Sequence, residues 1–182
     1  ACLSGGYIPL PVRAGEKRPK GRWQEPTEQE LLQYWGNGAG FEIGVVLPKG
    51  VAVLDIDMEG DSHRGIDSYR QEEILKAVAP VLMEVALPCE SSPSGGRHYF
   101  GRIPAGWQGR QNLEGVGIEL LCGQCFVKTF PSSGYVTQEK SWPVPVGELP
   151  EFPPGILARF ETATIEQPSA GRHRRGKARK NI

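Results

Sequence analysis

The 182-residue chain carries 21 Lys plus Arg against 21 Asp plus Glu, with 38% hydrophobic residues, which is the length of about one domain and an ordinary soluble composition. No apolar run approaches the roughly 18 residues of a membrane span, and Ala1-Cys2-Leu3-Ser4 lacks the basic stretch and apolar run of a signal peptide. Four cysteines do not make a disulfide scaffold at this length, so a reducing, cytoplasmic setting is expected; a first residue other than Met is expected of a trimmed chain or an excised domain.

In chain order, Gly6 to Val12 contains Pro9 and Pro11 and is at best an edge strand. Thr27-Glu28-Gln29-Glu30 is a capping box that opens a short helix through Trp35. Glu42 to Leu47 and Val51 to Asp57 are strands, and the Pro48-Lys49-Gly50 connection predicts a hairpin between them. Helical spacing of Tyr69, Ile74, Leu75 and Val78 predicts a helix over 66–79, followed by a strand over 82–87 and a turn over 88–96. A strand starts at His98. Segments 116–121, 126–130 and 135–137 predict an antiparallel meander. Prolines make 142–155 a loop, and 156–160 a short final helix. Hairpins without strict strand–helix alternation point to the α+β class.

The zero net charge is unevenly spread. Arg172, Arg174, Arg175, Lys177, Arg179 and Lys180 form a basic tail, and Arg13, Lys17, Arg18, Lys20 and Arg22 a second basic run. The body between them is acidic, which argues against strong unassisted binding to duplex DNA. A domain over 1–160 followed by a disordered basic linker over 161–182 is expected.

Four features carry chemistry. Asp55 and Asp57 sit two apart at the end of an apolar strand, so they share a face, about 7 Å apart along the strand. Such a pair is either a solvated strand end or an oxygen site for Mg²⁺ or Mn²⁺. Ser94-Gly95-Gly96-Arg97-His98 is a turn running into a strand, either an ordinary turn or an anion clamp. Glu119 is a lone acid in an apolar strand, either outward-facing or metal-bound. Lys128 and Ser132 flank a strand–turn–strand from which both could reach phosphates.

Taken in that order, these motifs resemble the archaeo-eukaryotic primase superfamily in its bifunctional primase–polymerase branch. Tyr7-Ile8-Pro9-Leu10, Lys17, Pro19, Trp23, Trp35 and Ile43-Gly44-Val45 add to the resemblance, which spans roughly residues 6–138. It implies a primase–polymerase fold of mixed or antiparallel sheets, an RRM-like core and flanking helices around a cleft. It implies two divalent ions, Mg²⁺ or Mn²⁺, on Asp55, Asp57 and Glu119, and contact of His98 with the nucleotide's phosphates. Ser94, Gly95, Gly96, Arg97, Lys128 and Ser132 would complete the nucleotide pocket. The family often has Asp where this chain has Glu119. The implied activity is DNA primase/polymerase: nucleotidyl transfer from NTP or dNTP on a single-stranded DNA template and primer. A helicase or accessory domain in the full-length protein, no membrane partner, and a prokaryotic, plasmid or phage context are also implied.

Cys122-Gly123-Gln124-Cys125 is half a zinc site. It would need Cys89 or His63 nearby, and a turn between two half-buried thiols is the expected reading. Other readings of the chain are a nuclease, a sugar-nucleotide transferase, or a non-catalytic nucleic-acid-binding module of a replication or defence protein. A nuclease would not need the Ser94–His98 clamp, and a sugar transferase would be longer.

Overall fold

The computed structural model describes residues 2–19, 25–36, 40–58, 68–107, 109–113, 116–139 and 142–165. The expected basic tail, Lys20, Arg22, Trp23 and His63 lie outside the described residues.

A six-stranded antiparallel sheet forms the centre. It contains β3 (Val51–Ile56), β4 (Cys89–Ser91), β5 (Arg97–Arg102), β6 (Arg110–Leu113), β7 (Ile118–Cys122) and β9 (Val136–Thr137), in the order β6-β7-β3-β5-β4-β9. A three-stranded sheet holds β1 (Ile8–Arg13), β2 (Phe41–Val46) and β8 (Phe126–Lys128), in the order β1-β2-β8. Three α-helices, α1 (Glu28–Leu31), continued by a π-helical turn over Leu32–Gly36, α2 (Ser68–Glu84) and α3 (Pro154–Ile165), and a 3-10 turn over Val146–Glu148 complete the described elements. This is the α+β class with antiparallel sheets expected from the sequence.

Strand alternation splits the core in two. Ala52, Leu54 and Ile56 of β3 join Ile118 and Leu120 of β7 in a cluster with α2 and α3. Val51 and Val53 point the other way, into a cluster with Val45, Val127, Phe100 and Leu121. The central sheet is therefore covered by helices on one face and by the small sheet on the other. Each fully buried Leu or Val contributes about 1.5–3 kcal/mol. A strand buried on both faces reads as a continuous apolar run, which is why Val51 to Leu54 shows no polar alternation.

Several expected elements differ. The hairpin over 42–57 does not form: β2 pairs with β1 and β8, and β3 with β5 and β7. Pro48-Lys49-Gly50 instead carries the chain from one sheet to the other, so that Val45 and Val53 meet across the core. The strand over 82–87 is helix as far as Glu84, because α2 runs through Pro80. Ile74, Leu75, Val78, Val81 and Leu82 keep helical spacing and pack on one cluster. The meander over 116–137 is absent as well, since β7, β8 and β9 pair with β3 and β6, β2, and β4 respectively. The capping box at Thr27 is present: its hydroxyl accepts from Glu30 N–H at 3.3 Å, and the Glu30 carboxylate accepts from Thr27 N–H at 2.8 Å. β1 is an edge strand, as its prolines require.

Candidate active site

The antiparallel register builds the site. Asn112 of β6 lies opposite Glu119 of β7, and Glu119 opposite Asp55 of β3. Asp55 lies opposite His98 of β5, and His98 opposite Glu90 of β4. Directly opposed residues share a face, so these five polar side chains form one row across the sheet. One pleat inward, Leu121, Val53 and Phe100 are buried against the small sheet. Of this row, Asp55 and His98 line the cleft between the sheets. Its inner wall is apolar and buried.

Asp57 lies just beyond the end of β3. Its N–H donates to the Gly117 carbonyl at 2.8 Å. Its own carbonyl accepts from Gln71 Nε2 at 2.6 Å, and the same amide donates to Val116 O at 2.8 Å. Gln71 is a buried polar residue of α2, and it ties the strand end to the loop before β7. Asp55, Asp57, His98, Ser94, Lys17, Arg110, Lys128 and Tyr135 all line one cleft of about 360 Å³.

Charge in the row is paired. His98 is buried, with Nε2 at 3.3 Å from Asp55 Oδ1 and Nδ1 at 2.8 Å from Glu90 Oε1. Burial alone would lower its pKa, but the hydrogen bonds to Asp55 and Glu90 outweigh it and raise the value to about 10. Both ring nitrogens then carry hydrogen, and the ring is cationic at neutral pH. Glu119 is buried; Arg110 Nη1 stands 3.2 Å from its Oε2, and Asn112 Nδ2 donates to its Oε1 at 3.4 Å. Tyr135 stacks obliquely on His98, with ring centroids 5.7 Å apart. Burial, and after it the charges of Glu90 and Asp55, hold its hydroxyl protonated above the usual range. Lys128 pairs with Glu42 and sits 6.0 Å from the Tyr135 ring.

The remaining expected site residues are placed as follows. The Ser92 to Gly96 turn closes through Ser92 N–H to Gly96 O at 2.9 Å and Gly95 N–H to Ser92 O at 3.0 Å. Gly95 has φ +87°, and a Cβ on Gly96 would stand 2.6 Å from the Ile56 carbonyl. The glycines thus allow the turn to press on β3 and bring Ser94 to the cleft, while the Gly95 amide is used within the turn. Arg97 alternates away from His98, and its charge interacts with Tyr99 and Cys89 on the opposite side of β5. Ser132 is buried; its Oγ accepts from Ile43 N–H at 2.9 Å and donates to Ile43 O at 2.7 Å. Cys122 belongs to the helix-side core and Cys125 abuts the other. Burial pushes the Cys122 thiol up to about 12. Among the described residues no three His, Cys, Asp or Glu side chains converge as a ready-made metal cluster. Asp55 is turned to His98 and Glu119 to Arg110.

Glu90, Arg110, Asn112, Gln71 and Tyr135 are site residues that the motifs do not reveal. All but Tyr135 are polar residues in short strands or on a helix. Strand register brings Glu90 to His98 and Asn112 to Glu119, while Gln71 reaches the Asp57 carbonyl from α2 and Tyr135 reaches His98 by ring contact.

A larger groove of about 1020 Å³ lies elsewhere, lined by Trp107, Arg102 and Phe152 among others. Arg102 there meets Glu151 at 3.4 Å, both well exposed. The smaller cleft is the better candidate because it keeps buried charge, which is costly unless it is used.

The chain belongs to the Prim-Pol family, described as bifunctional DNA primase/polymerase, N-terminal, whose model matches residues 1–153. That span contains the whole polar row. Among curated proteins, none matches the chain. No helix among the described residues is long and apolar enough to cross a membrane.

Proposed function

We propose that this domain joins nucleotides on a single-stranded DNA template, extending or starting a primer from NTP or dNTP with release of pyrophosphate. The observation that carries the reading is the register of Glu119, Asp55 and His98 on three adjacent strands, with Asp57 lining the same cleft.

The donor set suits a hard divalent cation: carboxylate oxygens at a half-dry cleft whose charges otherwise need cations such as His98 and Arg110. Asp55, Asp57 and Glu119 would hold two Mg²⁺ or Mn²⁺ ions. When bound, such ions neutralise the triphosphate and acidify the attacking 3′-hydroxyl.

The chain's own groups do the rest. His98 Nε2–H donates to a phosphate oxygen and offsets charge on the departing pyrophosphate. Arg110 and Lys17 present positive charge at the cleft, and the Ser94 hydroxyl and Lys128 lie within it. The bonding of Ser132 to Ile43 and the direction of Arg97 favour supporting roles for both. Contacts to the template, and a helicase or accessory domain beyond this chain, belong to the same proposal.

The test is nucleotide incorporation on primed and unprimed single-stranded templates, with Mg²⁺ and with Mn²⁺, and with both sugar types. Template-dependent product is expected on the primed strand. Tight single-strand binding with no product under any combination would favour a non-catalytic binding module.

A further inference from the structure

We propose that Glu90 is a positioning residue for His98, a buried carboxylate that fixes the imidazole so that Nε2 faces the cleft. The inference rests on the nucleotidyl-transfer reading for what Nε2 touches.

Glu90 lies opposite His98 in the β4–β5 register, and its side chain has no solvent exposure. Unlike Asp55 and Asp57, it does not line the cleft. A carboxylate in such a place survives only when paired and hydrogen-bonded. Three donors meet it. His98 Nδ1 reaches Oε1 at 2.8 Å, while Thr129 Oγ1 and Phe130 N–H reach Oε2 at 2.7 and 2.9 Å. Thr129 Oγ1 in turn accepts from Trp142 Nε1 at 2.7 Å.

The geometry makes Glu90 a bracket. Thr129 and Phe130 hold Oε2, so the carboxylate plane is set before His98 is considered. Oε1 then has one position from which to accept, and the imidazole must present Nδ1 to it. The hydrogen bond at one ring nitrogen decides where the other points. Here the other is Nε2, held 3.3 Å from Asp55 Oδ1 at the cleft. The competing view is that Glu90 only anchors the segment after β8 to the sheet.

Glu90→Gln separates the two. It keeps the shape but offers one oxygen and one amide, so it cannot accept from both His98 and the Thr129–Phe130 pair. In the full chain, three quantities are read: the His98 Nδ1 proton by ¹⁵N–¹H NMR in metal-free buffer, the Mn²⁺ affinity, and KM and kcat for nucleotide incorporation. The Nδ1 proton signal should be lost or strongly shifted. KM for the nucleotide should rise about tenfold or more, while Mn²⁺ affinity stays within about twofold because Asp55, Asp57 and Glu119 are intact. Should Glu90→Gln not fold, Thr129→Val removes one donor behind Oε2, and a smaller rise in KM is expected. A folded variant with wild-type KM and an unshifted Nδ1 proton overturns the inference and leaves Glu90 as an anchor. If the wild type incorporates nothing, the nucleotidyl-transfer reading fails instead. The Nδ1 proton then decides on Glu90 alone: its loss supports the bracket, and its persistence refutes it.

Discussion

His98 sits between two acids, Asp55 and Glu90, and its stability effect has a definite sign. Its pKa rises from 6.5 to about 10 on folding, so the folded protein binds the proton more tightly. The contribution is fully present below pH about 6.5 and is lost as pH rises toward about 10. Urea denaturation of metal-free protein across that window should show wild type losing stability relative to His98→Gln. A stability difference that does not change with pH would contradict the paired, cationic imidazole. The acid pair Asp55 and Asp57 and the lone Glu119 were legible in the sequence, because acids ending or interrupting apolar strands stand out. Glu90 was not. It sits in the tripeptide Cys89-Glu90-Ser91, where nothing local marks it as buried, and its meaning comes from His98 eight residues on.

Elements show a similar division. The capping box at Thr27, the prolines of β1 and the helical spacing from Ile74 to Val78 were readable because each signal is local. The partner of β3 was not, since a three-residue connection with glycine fits a hairpin and a sheet-to-sheet crossing alike. Burial on both faces of β3 decided it. β4 and β6 are short and polar, with no alternation to detect, and only pairing with β5 and β7 makes them strands. The turn before β5 carries its own prediction. A Cβ at Gly96 would meet the Ile56 carbonyl, a backbone atom of β3, at 2.6 Å and the Ser92 hydroxyl at 3.0 Å, which leaves little room to yield. Gly96→Ala should therefore lower stability by about 1–3 kcal/mol, read by thermal denaturation. An unchanged melting temperature would mean that the turn does not press on β3 as described.

At the scale of the whole molecule, two helices and a small sheet sandwich a larger sheet, and the candidate site lies where that sandwich opens. The acidic body that argued against unassisted duplex binding becomes intelligible there, since several of its acids line or back one cleft. The Prim-Pol family match over residues 1–153 contains all of the cleft's lining, with β8 closing the wall opposite Asp55 and His98. Asp57 and its neighbours are proposed to form a nucleotidyl-transfer centre. The most direct test compares wild type with Asp57→Ala in primer extension with Mn²⁺, alongside their melting curves. Loss of at least about a hundredfold in rate with an unchanged melting curve is predicted. A folded Asp57→Ala variant that extends primers like wild type would contradict the account.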